Sequence, residues 1–261
     1  MTRPLRLQDL AGDWALVTGA SSGIGREFAL QLAAAGMHLA LVARRTERLT
    51  ALADELTSRH AVRVLPMPAD LGELGQGSQL AQRVRAEGAR IRLLVNNAAL
   101  GRWAPFENSP SGYYEQMLLV NAVAPVSLCR ELLPDLVSHE TSGIINVGSS
   151  AAFQPVPYMA VYAASKAFLY SFSLALHQEW GERGVRVQTL LPAPTPTELE
   201  GSQVVNEAAS PAQSVRNSLA RLHRPVVGVG PSTLMQRVFA LLPAPMVLPQ
   251  VARMFRPPKA G

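Results

Sequence analysis

Tyr162 and Lys166 stand four residues apart in Tyr162-Ala163-Ala164-Ser165-Lys166, within a stretch whose pattern is helical. At that spacing two side chains share one helix face, one turn apart. A phenol with a pKa of roughly 10 is a poor base near neutrality, and an ammonium beside it favours the phenolate and lowers that value. A phenol tuned in this way exchanges a proton with the oxygen of a carbonyl or an alcohol. Composition also singles out the lysine. The chain has 24 lysines and arginines, and only Lys166 and Lys259 are lysines. Arginine serves nearly everywhere else, which leaves the internal lysine a task suited to a compact ammonium able to pass a proton. Tyr158 lies near the start of the same helix, but four residues on from it stands Tyr162 rather than a cation, so it reads as a pocket wall.

A second segment is built to meet an anion. The apolar run Trp14–Thr18 leads directly into Gly19-Ala20-Ser21-Ser22-Gly23-Ile24-Gly25, and a helix opens with Arg26-Glu27-Phe28-Ala29. Glycine is needed where the backbone turns sharply or must approach a pyrophosphate with no Cβ in the way. The amides of the new helix then point at the anion. The spacing is G-x-x-x-G-x-G rather than the G-x-G-x-x-G of the general dinucleotide fingerprint. The next strand ends Leu41-Val42-Ala43-Arg44-Arg45, with no acid in reach to bind both ribose hydroxyls. Two guanidinium groups suit a 2′-phosphate, so NADP is the expected dinucleotide.

The elements that must carry these groups alternate. Trp14–Thr18, Leu39–Ala43, Val62–Met67, Leu93–Asn96, Ile144–Val147 and Val185–Leu191 read as strands, and Arg224–Gly230 contains a seventh. Helical patterns run over about 23–35, 46–58, 74–87, 112–138 and 159–182. The strands are apolar throughout rather than alternating, as in a sheet covered by helices on both faces. The expected fold is therefore α/β, a doubly wound parallel sheet of Rossmann type, with ligands at the carboxyl ends of the strands. One domain over residues 1–230 is expected, with 231–261 as an extension broken by Pro231, Pro243, Pro245 and Pro249 into two short helices at best. Residues 192–210 read as a loop.

With 48% apolar and 16% charged residues, the 261-residue chain is not a disordered polar protein. No run of 18 apolar residues predicts a membrane-spanning helix, and the start lacks the apolar run of a signal peptide. A cytoplasmic location is the expectation. The single cysteine, Cys129, and five scattered histidines predict neither disulfides nor a metal site. No G-x-S-x-G elbow predicts a serine hydrolase. The formal charge of +5 is uneven, since no acid follows Glu207 while six arginines and Lys259 do. That basic stretch predicts contact with a membrane surface, an anionic substrate or a partner, or a solvated rim. Nucleic acid is not an expected partner.

Three further pieces complete a pattern: Asn96-Asn97-Ala98-Ala99 after the fourth strand, Ser149 after the fifth, and the tyrosine–lysine helix. With the glycine loop, in this order over residues 12 to about 230, the chain resembles the short-chain dehydrogenase/reductase family. The resemblance implies catalysis by Asn121, Ser149, Tyr162 and Lys166, the serine holding the substrate oxygen and Asn121 holding a water that links the lysine to solvent. It implies Asp70, with Leu71, beside the adenine, and Asn97 and Ala98 near the ribose. Pro192 and Thr197 fall by position near the nicotinamide. Lys166 would also hold the ribose hydroxyls. The cofactor set further includes Gly19, Ser21, Ser22, Gly23, Ile24, Gly25, Arg44, Arg45 and Tyr162. Two family glycines are replaced, by Ala99 and Ala193, which questions the geometry of both turns. A homo-oligomer is the expected assembly.

Trp103, Phe106, Phe153, Val156 and Tyr158 make the expected pocket lining apolar, which suits a hydrophobic ketone, aldehyde or oxoacyl compound. The rival readings are an epimerase or dehydratase on the same fold, and a nicotinamide-sensing or membrane-attached protein without turnover.

Overall fold

Among the described residues, the apolar runs form a seven-stranded parallel sheet. The structure is a computed structural model and describes residues 4–192, 210–228 and 244–256. The first half of the chain supplies β1 (Trp14–Thr18), α1 (Gly23–Ala34), β2 (His38–Ala43), α2 (Thr46–Arg59), β3 (Val64–Pro68), α3 (Gln76–Ala86) and β4 (Ile91–Asn96). A continuous helical run follows, made of α4 (Tyr113–Leu118), a π-helical turn (Leu119–Val123) and α5 (Ala124–Val137). Then come β5 (Ser142–Val147), α6 (Ala160–Gly181), β6 (Val185–Leu191), α7 (Pro211–Leu219), β7 (Val226–Gly228) and α8 (Ala244–Met254).

The strand order is β3-β2-β1-β4-β5-β6-β7. Winding reverses between β1 and β4, so a crevice opens beyond the carboxyl ends of those two strands. Side chains of a strand alternate between faces, and here both faces are dry. Ala15 and Val17 of β1 join the layer of Phe28, Leu32, Leu49 and Val215, under α1, α2 and α7. Trp14 and Leu16 join Leu80, Val84, Leu128, Leu132 and Trp180, under α3, α5 and α6. This two-sided burial explains why the strands read as unbroken apolar runs.

Run Tyr113–Val137 has the length and apolarity of a membrane span. Leu128, Cys129, Leu132 and Leu136 along it are core residues under the sheet, which accounts for that composition.

Strand and helix ends fall within about two residues of the sequence expectation, but one segment differs in kind. Helix α7 was not expected. Its signal is present nonetheless, since Ser210 accepts a hydrogen bond from the Gln213 amide at 3.2 Å and Pro211 occupies the first turn. In the extension, Ala244–Met254 forms one helix of 11 residues in spite of Pro249.

Candidate active site

Thr18 ends β1 fully buried, and its hydroxyl ties the glycine loop to the end of β4. Thr18 Oγ1 donates to the Val95 carbonyl at 3.3 Å and accepts from the amides of Asn97 at 2.9 Å and Ala98 at 3.0 Å. The Asn97 amide group donates to the carbonyls of Thr18 at 2.9 Å and Gly19 at 3.3 Å. Asn97 is thus a strut for the loop as well as a lining residue. Gly19 has φ +67°, and a Cβ there would lie 2.7 Å from the Asn97 Nδ2. Only glycine satisfies both demands.

Gly25, expected in the cofactor set, does not line the cleft. A Cβ on it would collide with the Gly19 carbonyl and the Asn97 amide group, so it is the glycine of close helix–loop packing. Ser22 stands at the N-cap of α1, but its side chain does not cap the helix. The serine hydroxyls are engaged by Arg45, whose guanidinium donates to Ser21 Oγ at 2.9 Å and to Ser22 Oγ at 3.0 Å. The opening turn of α1 therefore keeps the polarity that receives an anion.

A cleft of about 850 Å³ runs across these elements. Asp70 and Leu71 line it past the end of β3, Arg44 and Arg45 past β2, Gly19, Ser21, Ser22, Gly23 and Ile24 past β1, Asn97 and Ala98 past β4, and Tyr162, Lys166 and Pro192 on the side of β5 and β6. Asp70 also fixes the turn after β3, accepting from the Gly72 amide at 2.9 Å. Leu100 and Gly101 line the cleft as well, together with Tyr113 and Gln116, and the last two were not anticipated. They come from the segment after β4 and from α4, whose approach no local sequence pattern signals. Thr197 and Ala193 lie outside the described residues. Ala99 lines the cleft without a positive φ, so replacing glycine there costs no backbone strain.

At the far end, Tyr162 and Lys166 project from α6 side by side, with the Lys166 Nζ 5.7 Å from the centre of the phenol ring. Lys166 is buried and donates to the Val147 carbonyl at 2.9 Å. Burial lowers its pKa from 10.5 to about 8. In the protein alone, burial raises the Tyr162 phenol above its ordinary 10, and the hydrogen bond with Ser149 only partly opposes this. Desolvation of the phenolate is the larger effect, so the protonated phenol is the resting form.

Ser149 opens the short 3₁₀ turn Ser150–Phe153, accepting from the Ala151 amide at 3.1 Å. Asn121 sits in the π-helical turn, a distortion often found at functional sites. Its side chain bonds the Leu100 amide and carbonyl, both at 2.8 Å, and donates to Ser165 Oγ at 3.0 Å. These bonds engage the amide group, so Asn121 couples the segment after β4 to α6. A water held by that side chain, as the resemblance implied, would have to share it with these partners.

The lysine makes stability depend on pH. Unfolded, Lys166 keeps its proton to about 10.5, and folded only to about 8. The unfolded chain binds the extra proton between those values, so stability is full above 10.5 and falls as pH drops toward 8. The term is on the order of 3 kcal/mol. Urea midpoints at pH values of about 8 and about 10 should therefore rise more for the wild type than for Lys166→Met. Parallel midpoints would contradict the buried ammonium.

The expected aromatic lining is only partly realised. Phe106 is 62% exposed and stacks on Tyr114, with ring centroids 4.8 Å apart. Phe153 packs edge-on against Tyr170 at 5.2 Å. Both find aromatic neighbours outside the cleft, a choice that the sequence does not display. Val156 packs instead under α8, and Trp103 bonds the Phe255 carbonyl just past the end of that helix.

Comparison with known proteins agrees with this geometry. The family described as short chain dehydrogenase matches residues 13–208. A very-long-chain 3-oxoacyl-CoA reductase of Anas platyrhynchos is 33% identical over 91% of this chain and 78% of its own length. The chain spans about half the length of fungal relatives with the same name, 54% for one from Aspergillus fumigatus. Among solved structures, a short-chain dehydrogenase from Sphingobium yanoikuyae in complex with NADPH is 30% identical with a TM-score of 0.79, covering 95% of this chain and 98% of that one. A bulky-bulky ketone specific alcohol dehydrogenase from Comamonas testosteroni is 27% identical with a TM-score of 0.76, covering 95% and 96%. With the glycine loop, the tyrosine–lysine pair and this match over most of its length, the chain belongs to the short chain dehydrogenase family and is an oxidoreductase of that family.

Proposed function

We propose that the protein uses NADP(H) to reduce the carbonyl of a hydrophobic ketone, aldehyde or 3-oxoacyl compound to a secondary or primary alcohol, or catalyses the reverse. The observation that carries this reading is the continuity of one cleft, with Arg44 and Arg45 at one end and Tyr162 and Lys166 at the other. The residues fit a dinucleotide: the glycine loop, with Gly19 at φ +67°, and the uncapped start of α1 would hold the pyrophosphate, and the arginines would hold a 2′-phosphate. Bound there, the nicotinamide would supply or accept the hydride, and its oxidised form would add a positive charge that favours the phenolate.

The protein's own groups then divide the remaining work. Tyr162, protonated at rest, gives its proton to the carbonyl oxygen and recovers it through the buried Lys166, whose pKa of about 8 suits proton exchange near neutrality. Ser149, bonded to the same phenol, holds the oxygen in place. Asn121 acts as a positioning residue, holding the cleft wall at Leu100 and helix α6 in register.

The test is the loss of NADPH absorbance with a panel of apolar ketones and 3-oxoacyl thioesters. Steady turnover supports the reading, and binding of NADPH without turnover across the panel overturns it. The cofactor has its own test. Arg44 is exposed on the cleft at the strand end where an acid would select NAD. In Arg44→Asp the preference for NADPH over NADH, measured as a ratio of kcat/KM values, should fall at least about tenfold. An unchanged ratio would remove Arg44 from the phosphate site.

A further inference from the structure

Resting on the reading that the cleft holds a nicotinamide dinucleotide, we infer that Gln116 is a specificity-determining residue for the cofactor's base. With Asp70 it presents hydrogen-bond acceptors to the exocyclic amino group of a 6-aminopurine, in room that Gly72 leaves open. The sheet order places that base. The start of α1 would hold the pyrophosphate and Tyr162 marks the nicotinamide side, so the other nucleoside lies toward β2 and β3. There the cleft has an apolar floor of Ala69, Leu71, Ala98 and Val120, which belong to one cluster. Such a floor takes the face of a flat ring and leaves its edge to polar groups. The family resemblance implied Asp70 at this place and nothing from α4.

Helix α4 brings the second polar group. Tyr113, Gln116 and Val120 follow at steps of three and four along one continuous helical run, and all three line the cleft. Tyr113 anchors this face, its hydroxyl donating to the Gly101 carbonyl at 3.2 Å, with the Arg102 guanidinium 5.8 Å from the ring centre. A Cβ on Gly72 would stand 2.6 Å from Gln116 Cγ, 2.9 Å from its Nε2 and 3.1 Å from Asp70 Oδ1. Glycine at this position thus gives the glutamine its space, and amide and carboxylate flank one spot. Asp70 Oδ1 also accepts from the Gly72 amide. An amide oxygen turned that way would set two acceptors against each other, so Nε2 takes that side and Oε1 is left for a ligand. The Gln116 side chain makes no hydrogen bond among the described residues. A corner that offers acceptors suits an amino group with two N–H donors. The oxygen of a 6-oxopurine would leave them unpaired.

The test is a ratio of two dissociation constants, read from quenching of protein fluorescence. One ligand is NADPH, and the other is its analogue with hypoxanthine in place of adenine. The wild type should hold NADPH at least about tenfold more tightly. Gln116→Met keeps the length and removes the amide; Gly72→Ala keeps the amide and pushes it from its place. Each should lower the preference for NADPH about fivefold, the worth of one hydrogen bond. General loosening of the cleft would weaken both ligands together and leave the ratio where it was. An unchanged ratio in either variant, folded by thermal melting, would overturn the inference, as would a wild type that binds both ligands alike. NADH carries the same base, so a wild type that binds neither NADPH nor NADH rejects the dinucleotide reading instead.

Discussion

Tyr162→Phe should lower kcat about a thousandfold, a loss of about 4 kcal/mol of transition-state stabilisation. The substitution keeps the ring, which is 8% exposed in α6, and removes only the proton donor and the partner of Ser149. Thermal stability and NADPH affinity should therefore remain near wild type, measured by melting and by quenching of protein fluorescence. The contrast separates chemistry from architecture, because an interaction made only in the transition state lowers kcat and kcat/KM together. Retention of more than about a tenth of the wild-type kcat would mean that another group donates the proton.

Gly25→Ala should be the most damaging single methyl in the cofactor site. The added Cβ meets the Gly19 carbonyl and the Asn97 amide group, both parts of the rigid strut beneath the loop. Overpacking of this kind costs about 1–3 kcal/mol of stability, and relief requires the loop to move off its strut. NADPH affinity should fall at least about a hundredfold, or roughly 3 kcal/mol. Gly23→Ala is the control. A Cβ there meets nothing within 4 Å, and only its φ of +53° resists, at about 1 kcal/mol. Similar NADPH dissociation constants for the two variants would show that steric approach at Gly25 is not what shapes the site.

The sheet was legible because burial on both faces writes itself as unbroken apolar runs, as in Leu39–Val42. The reacting pair was legible because its spacing of four is a local property of a helix. What escaped depends on partners far away along the chain. Thr18 meets Asn97 from 79 residues off, and Trp103 meets Phe255 across 152. Gln188, buried in β6, bonds Ser218 in α7 and the Arg221 carbonyl, and only the folded topology brings these together. The burial acting on Tyr162 in the protein alone escaped for a related reason. A neighbouring cation can be read from spacing, whereas the depth of burial that opposes it cannot.

Helix α6 is also keyed into the protein at two depths. Ser165 takes a hydrogen bond from Asn121, and two turns further on Ser173 takes one from Asn146, which in turn bonds Asn96 across β4 and β5. Greasy surfaces tolerate sliding and rotation, but a lock of buried amides has only one fitting position, since any other strands polar groups in a dry interior. The angle at which the phenol and ammonium present themselves is thereby quantised. Changes at the rim can therefore alter what is accepted while the reacting pair stays put.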